Sequence, residues 1–289
     1  MAYTTLINAA ELMALQAAGT PLVLLDCSFD LADPEAGARA HAAGHLPGAI
    51  YAHLNRDLAG AKTGRNGRHP LPDRAAFAAT AGAWGVAPGV QVVTCDAMGA
   101  PYAARAWWLL RWLGHADAAV LDGGPAAWRA AGGAFSTEAA TAHALPPYPA
   151  AAPAMPTVDA DTLLARLGAV LILDARAGER FRGEVEPLDP VGGHIPGATL
   201  RFFKDNLCEG GKFKPAAQLR TEFEALMVGA GVAGAGAGAV DVVQQCGSGV
   251  TACHNLLAMA YAGLGDTTLY PGSWSEWCSE PARPVARGA

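Results

Sequence analysis

The sequence has few charged residues and few cysteines, and each shortage excludes a class of protein. Charged residues make up 16% of the 289-residue chain, the net charge is −6, and lysine and arginine form no cluster, which argues against nucleic-acid binding. The six cysteines are too sparse for a disulfide scaffold and show neither a Cys-x-x-Cys pair nor a zinc-ligand spacing. No strongly apolar run reaches the roughly 18 residues that a transmembrane helix needs.

The beginning of the chain also lacks the features of a secretory signal. Residues 1–19 contain Glu11 and have no basic segment in front of an apolar one. With 52% hydrophobic residues the chain has ample surface to bury, so it is not a disordered protein. We therefore expect a folded, cytoplasmic protein that binds neither membrane nor nucleic acid. No residue pattern indicates a metal or an organic cofactor, and we expect none.

A repeat is the most informative feature that the sequence does contain. Gly44–Ala49 reads GHLPGA and Gly193–Ala198 reads GHIPGA, 149 residues later. Trp128 and Trp277 stand at the same offset, and further short matches follow the same order, which indicates a tandem duplication. We expect one domain over 1–138 and a second over 157–289. The residues between them, 139–156, are rich in proline and alanine and predict an extended linker.

Strands and helices alternate in each copy, which is typical of an α/β domain with a parallel sheet and helices on both faces. The predicted strands are short apolar runs: Leu22–Asp26, Val90–Thr94 and Ala118–Asp122 in the first copy, and Val170–Asp174, Asp241–Gln245 and Thr267–Tyr270 in the second. Helices are predicted over Thr251–Ala262 and, opened by a serine cap, over Ser273–Trp277. The stretch 228–240, almost entirely Gly, Ala and Val, is interpreted as a helix end and a flexible loop.

Cys246 stands at a position where a thiolate can be stabilised. It follows a predicted buried strand, and Gly247–Thr251 then leads into a helix. Ligands of open α/β sheets bind at the carboxyl ends of the strands, and a glycine-containing loop before a helix can turn its N–H groups towards an anion. The helix N-terminus adds about half a positive charge. From placement alone, a reactive cysteine and a buried core thiol are equally good interpretations.

Several motifs together make the chain resemble the two-domain rhodanese-fold sulfurtransferases. Gly193–Ala198 is similar to the GHIPGA signature of that family, and Tyr270–Trp277 (YPGSWSEW) is similar to its C-terminal YDGSWxEW signature. Cys246–Thr251 (CGSGVT) matches the active-site loop of the 3-mercaptopyruvate sulfurtransferases, whereas the thiosulfate-specific branch usually has a basic CRKGVT loop. The resemblance extends from Leu22 to Trp277 and implies tandem rhodanese-like domains.

The resemblance implies a mechanism. Cys246 takes sulfur from a small anionic donor, 3-mercaptopyruvate or alternatively thiosulfate, and becomes a persulfide. The outer sulfur then passes to cyanide or to a thiol acceptor such as thioredoxin. Ser248 is the second catalytic residue that the resemblance implies. The loop residues expected to bind the anionic sulfur or substrate are Gly247, Gly249, Val250 and Thr251.

Two residues outside the loop also resemble family positions. Arg180 is similar to the arginine that binds the anionic group of the donor, and a guanidinium suits a planar carboxylate because it can bond bidentately. His45 resembles a histidine that supports the catalytic serine. Because His194 repeats His45 in the other copy, a structural role for His45 is favoured.

The chain departs from the family pattern at two places in the second copy, and its first copy lacks a cysteine opposite Cys246. The second substrate-binding arginine of the mercaptopyruvate enzymes is absent, because the corresponding stretch is Glu184–Asp189. Pro271 replaces the aspartate of YDGSW. In the first copy, the offset of 149 puts Ala97 opposite Cys246, and Cys95 lies on the strand next to Asp96, which would raise its pKa. We therefore expect the first domain to be non-catalytic.

Other protein classes fit the sequence less well. A phosphatase of related fold needs an arginine six residues after the cysteine, where this chain has Ala252. A thiol redox protein needs a resolving cysteine. Cys253 is seven residues after Cys246 and is expected two turns inside the helix, a poor geometry for a disulfide with Cys246. A non-enzymatic rhodanese-like binding module stays open as an alternative, although such modules usually lose the loop cysteine.

Overall fold

The computed structural model describes residues 2–229 and 241–289, which form two compact units. The first unit contains the residues up to Gly60 together with Leu71–Ala154 and Leu207–Phe213, and the second contains Ala61–Pro70, Met155–Asn206 and Lys214–Ala289. Each copy of the repeat thus builds most of one unit, and each unit also takes in one short segment from elsewhere in the chain. Of the stretch 228–240, predicted as a helix end and a flexible loop, residues 230–240 lie outside the described residues. Within the described parts of the chain, no helix combines the length and apolar character needed to cross a membrane.

The first unit is built on a five-stranded parallel sheet with the strand order β1-β5-β4-β2-β3. The strands are β1 (Leu6–Ile7), β2 (Leu22–Asp26), β3 (Ala49–Tyr51), β4 (Gln91–Cys95) and β5 (Ala118–Leu121). The helices are α1 (Ala9–Ala17), α2 (Ala36–Ala43), α3 (Arg74–Ala83), α4 (Pro101–Leu113) and α5 (Gly124–Ala130). Because helical crossovers cover parallel sheets, every residue of β4 and β5 is buried.

The second unit contains a four-stranded parallel sheet with the order β7-β6-β8-β9. The strands are β6 (Leu171–Asp174), β7 (Ala198–Leu200), β8 (Val242–Gln245) and β9 (Thr268–Leu269). The helices are α6 (Ala160–Ala165), α7 (Gly178–Phe181), α8 (Ala216–Gly229), α9 (Ala252–Tyr261) and α10 (Ser273–Trp277), with a 3-10 turn at Phe203–Asn206. Tyr270, Trp274 and Trp277 are completely buried in the core with Ile172 of β6 and Val243 of β8. These aromatic residues fix the segment around α10 beside the carboxyl end of β8.

The predicted α/β class with parallel sheets is confirmed, and both ends of each predicted strand agree with the observed strand to within one residue. The prediction that Ser273 caps the last helix is wrong. Ser273 is the first helical residue of α10 and has a left-handed φ of +52°. Its hydroxyl is used elsewhere, because it accepts a bond from the Cys246 N–H and donates to the Tyr270 carbonyl.

Residues 139–156, all of them described, form neither helix nor strand. Much of this stretch nevertheless packs on the first unit. The Leu145 N–H donates to the Gly82 carbonyl at 2.8 Å, and the Tyr148 N–H donates to the Ala78 carbonyl at 2.9 Å. Tyr148 is buried. The chain up to Ala154 is therefore part of the first unit.

Candidate active site

Cys246 directly follows β8 and is only 1% exposed. Its N–H donates to the Ser273 hydroxyl at 3.1 Å, and its carbonyl accepts the N–H of Trp274 at 3.0 Å. The strand end and the first residues of α10 therefore hold the backbone of the cysteine from two sides. Ser273 adopts a left-handed conformation, and these bonds help to hold it there.

The loop from Cys246 to Thr251 turns sharply before α9. Gly249 has a φ of +75°, and a Cβ atom there would overlap the carbonyl oxygen of Pro271, so only glycine fits. The Ser248 N–H lies 3.5 Å from the Cys246 Sγ. Within residues 2–229 and 241–289, the N–H groups of Gly247, Val250 and Thr251 donate to no protein acceptor. The loop can therefore offer several amide donors to an anion beside the sulfur.

The side chain of Ser248 contacts a histidine from a distant part of the chain. Its Oγ lies 2.8 Å from Nδ1 of His69, and both residues are buried. Sequence reasoning missed His69. The available signal was weak: residues 61–70 contain no large apolar side chain and end in two adjacent basic residues before a proline. That pattern marks an unusual polar segment but not its partner.

His45 occupies a different environment. Its Nδ1 lies 2.7 Å from the His41 carbonyl and its Nε2 lies 3.0 Å from the Glu138 carbonyl, all within the first unit. Its ring also stacks on the ring of His41 at 3.9 Å. These contacts tie together two backbone segments, and it is His69, not His45, that lies against Ser248.

Arg180 stands at the end of α7 and is held by two carboxylates. Its Nε and Nη2 bind Glu186 at 3.2 and 2.7 Å, and Nη2 also lies 3.2 Å from Asp189. Both carboxylates are almost completely buried, whereas the Arg180 side chain is 17% exposed. A methyl group on Gly247 would lie 3.3 Å from Nη1 of Arg180, so the guanidinium lies beside the residue that follows Cys246.

A second guanidinium, from Arg68, reaches the same place. Its Nη1 binds Asp189 at 2.6 Å, and its backbone N–H donates to the Ser275 hydroxyl at 2.9 Å. The same methyl group on Gly247 would lie 3.2 Å from Nη2 of Arg68. Asp189 stands in the stretch where the sequence shows no second arginine, and there its carboxylate binds Arg68.

Behind these residues lies a buried ion pair. Arg176 donates to Asp174 through Nε and Nη2, donates to the Gly193 carbonyl, and packs over the Trp274 ring at 4.7 Å. Burial alone would lower the pKa of Arg176, but the Asp174 carboxylate raises it above its ordinary value. Arg176 therefore stays charged and supports the loops around the cysteine without reaching the surface.

Comparisons with known proteins identify the family. A rhodanese-like domain model matches residues 8–131. Over 96% of this chain and 97% of the relative, the sequence is 48% identical to a probable 3-mercaptopyruvate sulfurtransferase of Pseudomonas aeruginosa. The chain belongs to the rhodanese-fold sulfurtransferases. It is also 41% identical to a putative thiosulfate sulfurtransferase, SseB, of Mycobacterium tuberculosis, over 98% of this chain and 97% of the relative.

Solved structures agree with this assignment. The structure of 3-mercaptopyruvate sulfurtransferase from Leishmania major superimposes with a TM-score of 0.79 at 30% identity, covering 95% of this chain and 74% of that chain. The structure of SseA from Escherichia coli, described as a 3-mercaptopyruvate sulfotransferase, gives a TM-score of 0.75 at 28% identity, covering 94% and 99%.

In this sulfurtransferase the equivalent strands β4 and β8 are followed by different residues, Asp96 and Cys246. Asp26 of β2 pairs with Cys95, and Asp174 of β6 pairs with Gln245, so the sheet register places Asp96, and not Ala97, at the position of Cys246. The Asp96 carboxylate accepts four backbone N–H bonds of 2.8–2.9 Å, from Met98, Ala100, Tyr102 and Ala103. In the first unit, the N–H groups of the loop after β4 thus bind the Asp96 carboxylate.

The neighbouring cysteine in the first unit is poorly suited to nucleophilic attack. Burial raises the pKa of Cys95 well above its ordinary value, and Asp26 and Asp96 raise it further. Burial also raises the pKa of Asp96, against the opposing effect of its four N–H donors. Among the residues that the structure describes, the loop after β8 has no such carboxylate. Its first residue is Cys246.

Proposed function

We propose that this sulfurtransferase takes sulfur from 3-mercaptopyruvate through a persulfide on Cys246. The observation that carries the proposal is the placement of Arg180 beside Gly247, one residue after the cysteine. A planar guanidinium suits the carboxylate of a small keto acid. The names of relatives that cover nearly the whole chain support the same donor.

The proposed reaction begins with attack of the Cys246 thiolate on the sulfur of the donor. A bond forms between the two sulfur atoms while the carbon–sulfur bond of the donor breaks, and its electron pair leaves with carbon as the enolate of pyruvate. The proton of the donor thiol moves to that carbon, so pyruvate and a Cys246 persulfide anion are the products. Loop N–H groups beside Cys246 stabilise the negative charge that develops on sulfur.

Ser248 and His69 are placed to transfer the proton of the donor thiol. The Ser248 Oγ can exchange a proton with His69 Nδ1 across 2.8 Å while it contacts the donor. In the second half-reaction a thiol, such as that of thioredoxin, or cyanide attacks the outer sulfur and restores the Cys246 thiolate. The first unit takes no part in these covalent steps, because Asp96 stands where Cys246 stands in the second.

Thiosulfate is the second candidate donor, favoured by the name of the Mycobacterium tuberculosis relative. The experiment is to measure turnover of both donors by the wild type and by Cys246→Ser. Cys208→Ser is the matched control, since Cys208 is an exposed cysteine outside the site. We expect Cys246→Ser to lose activity with both donors and the control to keep it.

Mass spectrometry distinguishes the mechanism from the choice of donor. After treatment with 3-mercaptopyruvate, the peptide containing Cys246 should carry one additional sulfur atom, and the peptide containing Cys95 none. Sulfur transfer that survives Cys246→Ser would refute the mechanism. Faster turnover of thiosulfate would overturn the choice of donor and leave the persulfide in place.

A further inference from the structure

We propose that Arg68 supplies a second guanidinium for the carboxylate of the sulfur donor, and that Asp189 holds it in position. The inference rests on the proposed function, since it concerns how the same donor is recognised. It makes Arg68 a substrate-binding residue and Asp189 a positioning residue.

The first observation is that two guanidinium groups lie near one point, the position that a Cβ atom on Gly247 would occupy. A methyl group on Gly247 would lie 3.2 Å from Arg68 Nη2 and 3.3 Å from Arg180 Nη1. Both nitrogens therefore lie on the same side of the residue that follows the nucleophile. A carboxylate placed there would receive donors from two directions.

The second observation concerns which donors are already used. Arg180 binds Glu186 and Asp189 through Nε and Nη2, so Nη1, the nitrogen nearest Gly247, has no acceptor among the described residues. Arg68 uses Nη1 on Asp189 at 2.6 Å, whereas its Nη2 lies 3.5 Å from the other Asp189 oxygen. Nε of Arg68 is buried and makes no hydrogen bond within the described chain.

The third observation is that the pair is oriented by a buried carboxylate. The Asp189 side chain is 4% exposed and contacts both arginines, whereas Arg68 and Arg180 are 21% and 17% exposed. A second bond, from the Arg68 N–H to the Ser275 hydroxyl, fixes the backbone of this segment. Asp189 therefore holds the guanidinium groups from the buried side and leaves their more exposed edges to a ligand.

An alkylation experiment tests this recognition without sulfur transfer. 3-Bromopyruvate and bromoacetone both alkylate a thiolate with loss of bromide, and they differ in having a carboxylate or a methyl group. The ratio of their second-order rate constants at Cys246, measured by mass spectrometry, reports carboxylate recognition beside the nucleophile. We expect the wild type to prefer bromopyruvate more strongly than a free thiol does.

Arg68→Met should lower this ratio by roughly tenfold or more, as loss of a charge-assisted hydrogen bond does. The same variant should raise the KM for 3-mercaptopyruvate more than it changes kcat, and Arg68→Lys should recover part of the loss. Arg65→Met, an exposed arginine of the same segment, is the control and should change neither quantity.

A further variant guards against misfolding. Arg68→Met leaves the buried Asp189 with one partner fewer, so Arg68→Met/Asp189→Asn removes both members of the pair and should show the same low ratio. If both variants fold and keep the wild-type ratio and KM while Arg180→Met lowers the ratio, Arg68 is not a substrate-binding residue. If the wild type does not turn over 3-mercaptopyruvate but its ratio depends on Arg68, the proposed donor is wrong, and Arg68 remains a residue that binds a carboxylate beside Cys246.

Discussion

The carboxylate that fills the loop of the first unit should contribute strongly to stability. Asp96 is 2% exposed and accepts backbone N–H bonds of 2.8, 2.9, 2.9 and 2.8 Å. Asp96→Ala removes all four acceptors at once, and a buried donor without an acceptor costs about 1 kcal/mol or more. Water that enters the vacated space will satisfy part of the demand, so we expect a loss of about 3–5 kcal/mol in the free energy of unfolding.

A matched control separates this effect from the loss of any capping aspartate. Asp73 is exposed and accepts a single bond, from the Ala76 N–H, at the start of α3. Asp73→Ala should therefore cost about 1 kcal/mol. The more conservative Asp96→Asn keeps one acceptor oxygen and should fall between the two.

The assay is urea denaturation followed by tryptophan fluorescence, since Trp107 and Trp108 lie buried on α4, the helix that the Asp96 loop enters. The midpoint is compared at constant slope, because a changed slope would signal a change in cooperativity. Equal losses for Asp96→Ala and Asp73→Ala would refute the reasoning. The four short bonds would then contribute no more than a single exposed cap.

Three more predictions concern the second unit. Gly249→Ala should abolish most sulfur transfer, because the new Cβ overlaps the Pro271 carbonyl and a left-handed alanine adds ~1–2 kcal/mol of strain; circular dichroism checks that the fold survives. Ser248→Ala and His69→Ala should each lower kcat by about 100-fold or more. If the two side chains act as one unit, the double variant should be no slower than the slower single variant. Losses in kcat that multiply in the double variant would contradict this. Burial would raise the pKa of Glu222, but its cationic neighbours hold that pKa at about 2. The ionised carboxylate therefore stabilises the fold at pH values above the ordinary pKa of glutamate, and this contribution is lost as the pH falls towards 2. Glu222→Gln should thus reduce stability at neutral pH by about 1 kcal/mol, after allowance for solvent screening, and make no difference below pH 2.

Much of the fold could be predicted from the sequence, because the patterns that indicate strands and helices are local. Short apolar runs such as Leu22–Asp26 form strands wherever both sheet faces are covered, and the observed β2 has these same bounds. Ser273 shows the limit of that reasoning. A serine before a helical stretch is usually a cap, but here a tertiary bond to the Cys246 N–H takes its hydroxyl.

The alignment of the two copies shows a similar limit. An offset of 149 residues pairs Cys246 with Ala97, but hydrogen bonding between β2 and β4 and between β6 and β8 pairs it with Asp96. Loops of slightly different length shift the offset along the chain, whereas sheet register depends on which N–H groups meet which carbonyls. Only the register shows that the carboxylate of Asp96 and the thiol of Cys246 stand at equivalent positions of the two sheets.

By itself the sequence determined the duplication, the α/β class and the position of Cys246 at a strand end, because these follow from local periodicity and from matches along one chain. The tertiary structure alone decided which residues surround that cysteine. His69 meets Ser248 across 179 residues and Arg68 meets Asp189 across 121, and no local pattern connects such positions. The physical reason is that hydrogen bonds and ion pairs between side chains depend on distance in space, which is set only when the segment 61–70 packs into the second unit.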